Sequence, residues 1–105
     1  MAIVEVSVIP VGTKTPSLSQ HVARVLRVLR DKESIKYELT PMGTIIEGDL
    51  KQVFPIVQEM HQAAFAEEVL RVVTTIRIDE RRDKLLTMES KVRGVEEKLK
   101  EVRQR

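Results

Sequence analysis

Residues 37 to 48, YELTPMGTIIEG, constrain this chain more than any other stretch. Ile35, Tyr37 and Leu39 alternate with Lys36, Glu38 and Thr40, the period of a strand over residues 35 to 40. Pro41 then removes a backbone donor, Gly43 suits the last position of a type I turn over residues 40 to 43, and a second apolar strand follows at 44 to 47. A connection this short joins only antiparallel neighbours, so the chain is built on a hairpin.

The flanking segments extend that hairpin into a sheet with helices. AIVEVSVI, residues 2 to 9, sets Val4, Val6 and Val8 against Ile3, Glu5, Ser7 and Ile9, the pattern of a first strand. PVGTKTP breaks it. Ser17 with Gln20 has capping-box spacing and predicts a helix from about Leu18 to about Asp31, apolar at Leu18, Val22, Val25, Leu26 and Leu29, with Arg24, Arg27 and Arg30 mostly opposite. After the hairpin, Asp49 and Gln52 repeat that spacing before Leu50, Val53, Ile56, Val57, Met60 and Ala64, a second amphipathic helix. Pro55 predicts a kink or a tight first turn over residues 49 to 54. VVTTIRID, residues 72 to 79, is a fourth strand. The order βαββαβ fits an α+β, ferredoxin-like sandwich, which obeys the right-handed crossover rule and puts both helices on one sheet face. The first strand then lies between the third and fourth.

With 105 residues the chain makes one core, assigned to residues 1 to 80, plus a C-terminal helical extension over residues 81 to 105. In that extension Leu85, Met88, Val92, Val95, Leu99 and Val102 recur at alternating spacings of three and four. Glu89, Glu96 and Arg103 flank one side, and Lys84, Lys91, Lys98 and Arg105 the other. Such a seam packs either on its own domain or on a partner subunit; its narrowness and charged flanks favour the partner, with Gly94 a local weakness.

Charge gives no argument for nucleic acid or membrane, because the net value is only +2. The chain has no Cys, which excludes thiol chemistry and thiolate metal sites. No basic stretch precedes an apolar segment at the amino terminus, and the apolar runs are too short to span a bilayer, so a cytoplasmic protein is expected. His21 and His61 lack partners at metal-ligand or triad spacing and read as helix-surface positions. The serines form no nucleophile elbow, and no glycine-rich phosphate loop is present. Lys14, beside Thr13, Thr15 and Ser17, has the chemistry to hold an anion at a helix start, though an ordinary polar loop explains it as well. Strand parity puts Glu5, Ser7, Lys36, Glu38, Thr40, Glu47, Thr75 and Arg77 on the face away from the helices, with Met42 at the turn. That face is either solvated or paired with another subunit so as to line a pocket. Tyr37, Phe54 and Phe65 are too few for an RNA-stacking sheet.

The segments VSVIPVGTKTPS, YELTPMGTIIEGD, MHQAAFAE and RVVTTIRIDERRDK, spread over about residues 3 to 84, resemble the small thiamine-binding protein family, also described as MTH1187 or YkoF-like. The resemblance implies a ferredoxin-like subunit that assembles through its sheets into homo-oligomers, dimers or tetramers. It also implies non-catalytic binding of thiamine or its hydroxymethylpyrimidine half, with no cofactor or metal required and no nucleic-acid or membrane partner. Combined with strand parity, it nominates Ser7, Glu38, Thr40, Met42, Thr44, Glu47 and Thr75 as ligand contacts: Glu47 or Glu38 accepts from the pyrimidine amine and favours the thiazolium, Ser7, Thr40, Thr44 or Thr75 serves the ring nitrogens, and Met42 packs on a ring face. Each has a structural rival, since threonines suit strands on propensity alone. Two other functions fit the same residues: a small cofactor-free enzyme with a pocket between paired sheets, and a structural or regulatory oligomer whose tail recruits another protein.

Overall fold

The computed structural model describes residues 1 to 66 and 69 to 103, the last two in backbone only. Glu67, at the end of the MHQAAFAE segment, Arg105 and the side chains of Val102 and Arg103 lie outside the described residues. The elements are β1 (Ala2–Val11), α1 (Ser19–Leu26), β2 (Lys36–Thr40), β3 (Gly43–Gly48), α2 (Leu50–Ala63), β4 (Arg71–Glu80) and α3 (Met88–Arg103). The strands form one sheet in the order β2-β3-β1-β4, every neighbouring pair antiparallel. This is the ferredoxin-like arrangement with a helix added.

Register decides what each face carries. Val6 stands opposite Thr44 and Ile76, and Val4 opposite Ile46 and Ile78. Val4, Val6 and Ile46 are buried beneath α1 and α2 with Val25, Leu29, Val53, Ile56, Val57 and Met60. Glu5 stands opposite Ile45 and Arg77, and Ser7 opposite Thr75, so the charged residues occupy the other face as the alternation predicts.

Several boundaries depart from the expectation. β1 runs on through Pro10 and Val11 to Gly12, whose φ of +82° ends it. Pro10 is tolerated because β1 pairs with β3 only as far as Val6 and from there has β4 as its single partner. α1 starts at Ser19 with Leu18 as N-cap and no side-chain cap, so the expected Ser17 capping box is not formed. It ends at Leu26, where the chain tightens into i→i−3 bonds such as Leu29 N to Leu26 O at 3.0 Å, and Leu29 enters the core fully buried. Asp49 does cap α2, accepting from Lys51 N at 3.1 Å. Gln52 N and Val53 N both donate to Asp49 O, a tight first turn that precedes Pro55 within a continuous helix.

α3 begins at Met88 rather than near residue 81. Thr87 and Ser90 cap it reciprocally, Ser90 N donating to Thr87 Oγ1 and Thr87 N to Ser90 Oγ, each at 3.0 Å. In the preceding segment the Arg81 guanidinium grips both oxygens of Asp83 at 2.6 and 2.7 Å and holds that carboxyl below its ordinary range. Among the described residues no helix is long and apolar enough to cross a membrane.

Candidate functional site

Where β1 and β3 part, a cleft opens. The last β1–β3 partners are Val6 and Thr44, and a Cβ built on Gly43 would meet Val6 O at 3.0 Å. The carbonyl of Val6 therefore points toward β3. By the two-residue period of the strand, the N–H and C=O of Val8 point the same way, into a space that β3 has left. α1 closes this space with Val22 and Leu26, the hairpin supplies Leu39 and Met42, and Met60 lies at its floor. The volume is about 900 Å³, within the range of small-molecule sites.

The walls are mainly apolar. Their polar groups are the hydroxyls of Ser19, Thr40 and Thr44 and the unpaired backbone edge of β1 around Val8, where Ser7 contributes through its backbone because its side chain turns to the charged face. Thr44 is buried, whereas Met42 is 84% exposed at the mouth. Thr40 shapes the turn: its Oγ1 donates to Gly43 O at 2.9 Å and accepts from Met42 N at 3.3 Å.

A second cleft, of about 870 Å³, lies between the charged sheet face and α3. It brings Glu5, Glu38, Glu47, Asp79 and Glu89 together with Lys36, Arg77 and Lys91. Most of these charges are engaged within the chain. Arg77 Nη1 donates to Glu5 at 3.4 Å, and Lys91 Nζ to Asp79 at 2.5 Å. Glu47, only 4% exposed, accepts the backbone N–H of Met88 at 2.8 Å and so anchors the amino terminus of α3.

The seven nominated residues are thus divided. Ser7, Thr40, Met42 and Thr44 line the hairpin cleft, Glu38 and Glu47 line the cleft under α3, and Thr75 lines neither. Thr44 and Glu47 point to opposite faces of the sheet, because Thr44 pairs with Val6 and Glu47 with Ile3. The free edge at Val8 and the wall residues Val22 and Leu26 escaped the sequence reading. Pro10, which the sequence pattern takes as the end of the first strand, lies inside β1, and a proline within a central strand marks a place where a neighbour is missing.

His61 Nδ1 lies 2.6 Å from Thr74 Oγ1, and its ring meets Phe65 edge-on at 5.3 Å, so it ties α2 to β4. Among the described residues no group of acidic or histidine side chains is placed to hold a metal ion.

Comparison with known proteins gives this geometry its context. The family model described as thiamine-binding protein matches residues 4 to 96. The chain belongs to that family. Relatives are the UPF0045 protein YqgV of Bacillus subtilis, 49% identical over 94% of this chain and 98% of its own length, and a UPF0045 protein of Staphylococcus xylosus, 50% identical over 94% and 95%. Among solved structures, the hypothetical protein MJ1052 of Methanocaldococcus jannaschii superposes with a TM-score of 0.83 at 38% identity, covering 91% of this chain and 96% of that one. A Thermotoga maritima protein provisionally described as a thiamine biosynthesis/salvage protein superposes with a TM-score of 0.74, covering 90% and 97%; at 23% identity it shows the fold alone. The match across residues 4 to 96 takes in the hairpin cleft, the cleft under α3 apart from Ile3, and the first half of α3.

Proposed function

We propose that this member of the thiamine-binding family is a non-catalytic, homo-oligomeric binding protein for thiamine or its hydroxymethylpyrimidine half, a carrier, buffer or sensor, and that the pyrimidine enters the cleft between the hairpin and α1. The strand edge at Val8 carries the reading. An aminopyrimidine offers an amino donor beside a ring-nitrogen acceptor, the complement of the carbonyl and N–H that one strand residue presents to a neighbour. The ring takes the place of the missing strand, with Leu39, Val22 and Leu26 against its faces and the Thr44 hydroxyl at its edge. A thiazolium joined to it extends past Met42 into solvent. Because hydroxyls and backbone line this cleft, and no acid, histidine or lysine does so among the described residues, its groups orient a ligand and are poorly suited to proton transfer. The family's description as thiamine-binding protein, matched over residues 4 to 96, agrees with this ligand class.

Calorimetric titration of the full chain with hydroxymethylpyrimidine and thiamine tests the reading, repeated with Val8→Pro and Thr44→Val. Proline at 8 deletes the cleft-facing N–H without removing a bond to β4, on the edge where Pro10 is already accommodated. Both ligands should bind the parent, and each variant should weaken binding by about tenfold or more, the equivalent of one hydrogen bond to a buried group. Absence of binding at millimolar ligand refutes the function. Unchanged affinity in folded Val8→Pro refutes the placement in this cleft.

A further inference from the structure

α1 begins without a cap at one end of the hairpin cleft. The N–H groups of Ser19, Gln20 and His21 have no acceptor among the described residues, and the first helical bond is Val22 N to Leu18 O at 2.9 Å. Leu18 and Ser19 line the cleft. No acidic side chain stands in the first turn of α1 or, among the described residues, along the cleft wall. Orphan donors at the positive end of a helix dipole suit an anion.

A separate group in the same cleft calls for a ligand. Thr44 is 5% exposed, and its hydroxyl has no hydrogen-bond partner among the described residues. No fully sealed side-chain polar atom among those residues lacks a partner, so this hydroxyl keeps its access to the cleft. A hydroxyl enclosed this far and still unbonded is free to hold a ligand in place.

Strand direction joins the two features. Along a strand the N–H of a residue precedes its C=O. An aminopyrimidine that accepts from the Val8 N–H and donates its amine to the Val8 carbonyl therefore turns the carbon next to the amine toward the carboxyl end of β1. In hydroxymethylpyrimidine that carbon carries the hydroxymethyl group. β1 and β2 are parallel, each being antiparallel to β3, so α1, which connects them, runs back along the sheet and starts at that same end.

We infer, resting on that placement of the ring, that the cleft takes the phosphate monoester of hydroxymethylpyrimidine. The ring lies on the Val8 edge beside Thr44, and the phosphate meets the uncapped first turn of α1 at Ser19. The thiazolium of thiamine leaves from the same carbon but is cationic, so it turns from the helix start to solvent past Met42.

Calorimetric titration of the full chain with hydroxymethylpyrimidine, its phosphate ester and inorganic phosphate tests this. The ester should bind about tenfold more tightly than the unesterified ring, and the gain should shrink as salt is raised. Ser19→Asp puts a negative charge in the first turn, where an acid favours the helix, so the variant should fold and lose the gain from the phosphate. Inorganic phosphate should bind far more weakly than the ester. An ester that binds no better than the unesterified ring overturns the proposal and leaves the pyrimidine reading standing. So does a gain undiminished in folded Ser19→Asp. Inorganic phosphate binding as tightly as the ester would make the helix start a phosphate site unconnected with the ring, and overturns the proposal as well. Absence of binding by either pyrimidine refutes both readings together.

Discussion

Replacing Glu47 separates a structural carboxylate from a ligand-binding one. Its oxygen accepts the Met88 N–H at 2.8 Å and the residue is 4% exposed, so this is a charge-assisted hydrogen bond shielded from water, at the positive end of the α3 dipole. Bonds of this kind contribute about 1.5 to 3 kcal/mol. Glu47→Ala should therefore lower amide-exchange protection at Met88 by roughly 10- to 150-fold, at about 1.4 kcal/mol per decade. Glu47→Gln keeps an acceptor and loses the charge, and should give about half the free-energy effect. Hydrogen exchange read by NMR resolves the site directly, with the amides of β1 as an internal reference. In both variants, affinity for hydroxymethylpyrimidine should stay at the parent value, because the proposed pyrimidine cleft lies beyond the β1–β3 fork. Unchanged Met88 protection in Glu47→Ala would refute the anchoring role. A loss of ligand affinity with α3 still protected would instead place the ligand beneath α3.

Gly43→Ala should lower stability by about 1 to 3 kcal/mol, because the new methyl meets the Val6 carbonyl at 3.0 Å and backbone cannot step aside as a flexible side chain can. A thermal melt checks it, and a Tm equal to the parent's would contradict the close approach. Asp83 should titrate below the ordinary carboxylate range, chiefly through its hydrogen bonds from Arg81. Since its folded value is the lower one, the pair's contribution is present above the unfolded value and lost as pH falls through the folded value. An NMR titration of the Asp83 carboxyl should show this depression disappear in Arg81→Ala; persistence would assign the cause elsewhere.

Local periodicity determined a great deal in this chain. Alternation in AIVEVSVI and VVTTIRID, the two-residue connection at Pro41 and Met42, and the apolar spacing from Leu50 to Ala64 specify the strands, the hairpin and α2. The crossover rule then orders them, and strand parity correctly assigns Glu5, Ser7 and Arg77 to the charged face. These properties are legible because they depend on residues close together in the chain. Capping was less secure: Asp49 forms its cap, Ser17 does not, and the Thr87–Ser90 box that sets the start of α3 was missed. Ser and Thr compete for several backbone partners, and the docked position of the helix selects among them.

The composition of the two clefts was decided by tertiary structure alone. Nothing local tells Glu47 that it will meet a backbone amide 41 residues later, or sends Thr44 and Glu47, three residues apart, into different clefts that α1 and α3 complete from opposite sides. The free edge at Val8 likewise exists because β3 stops pairing with β1 at Val6, a matter of register between distant segments. Sequence periodicity determines which way a side chain faces along its own strand. What it then meets depends on packing between elements, where the hairpin, α1 and α3 come from separate stretches of chain and only the folded whole brings them together.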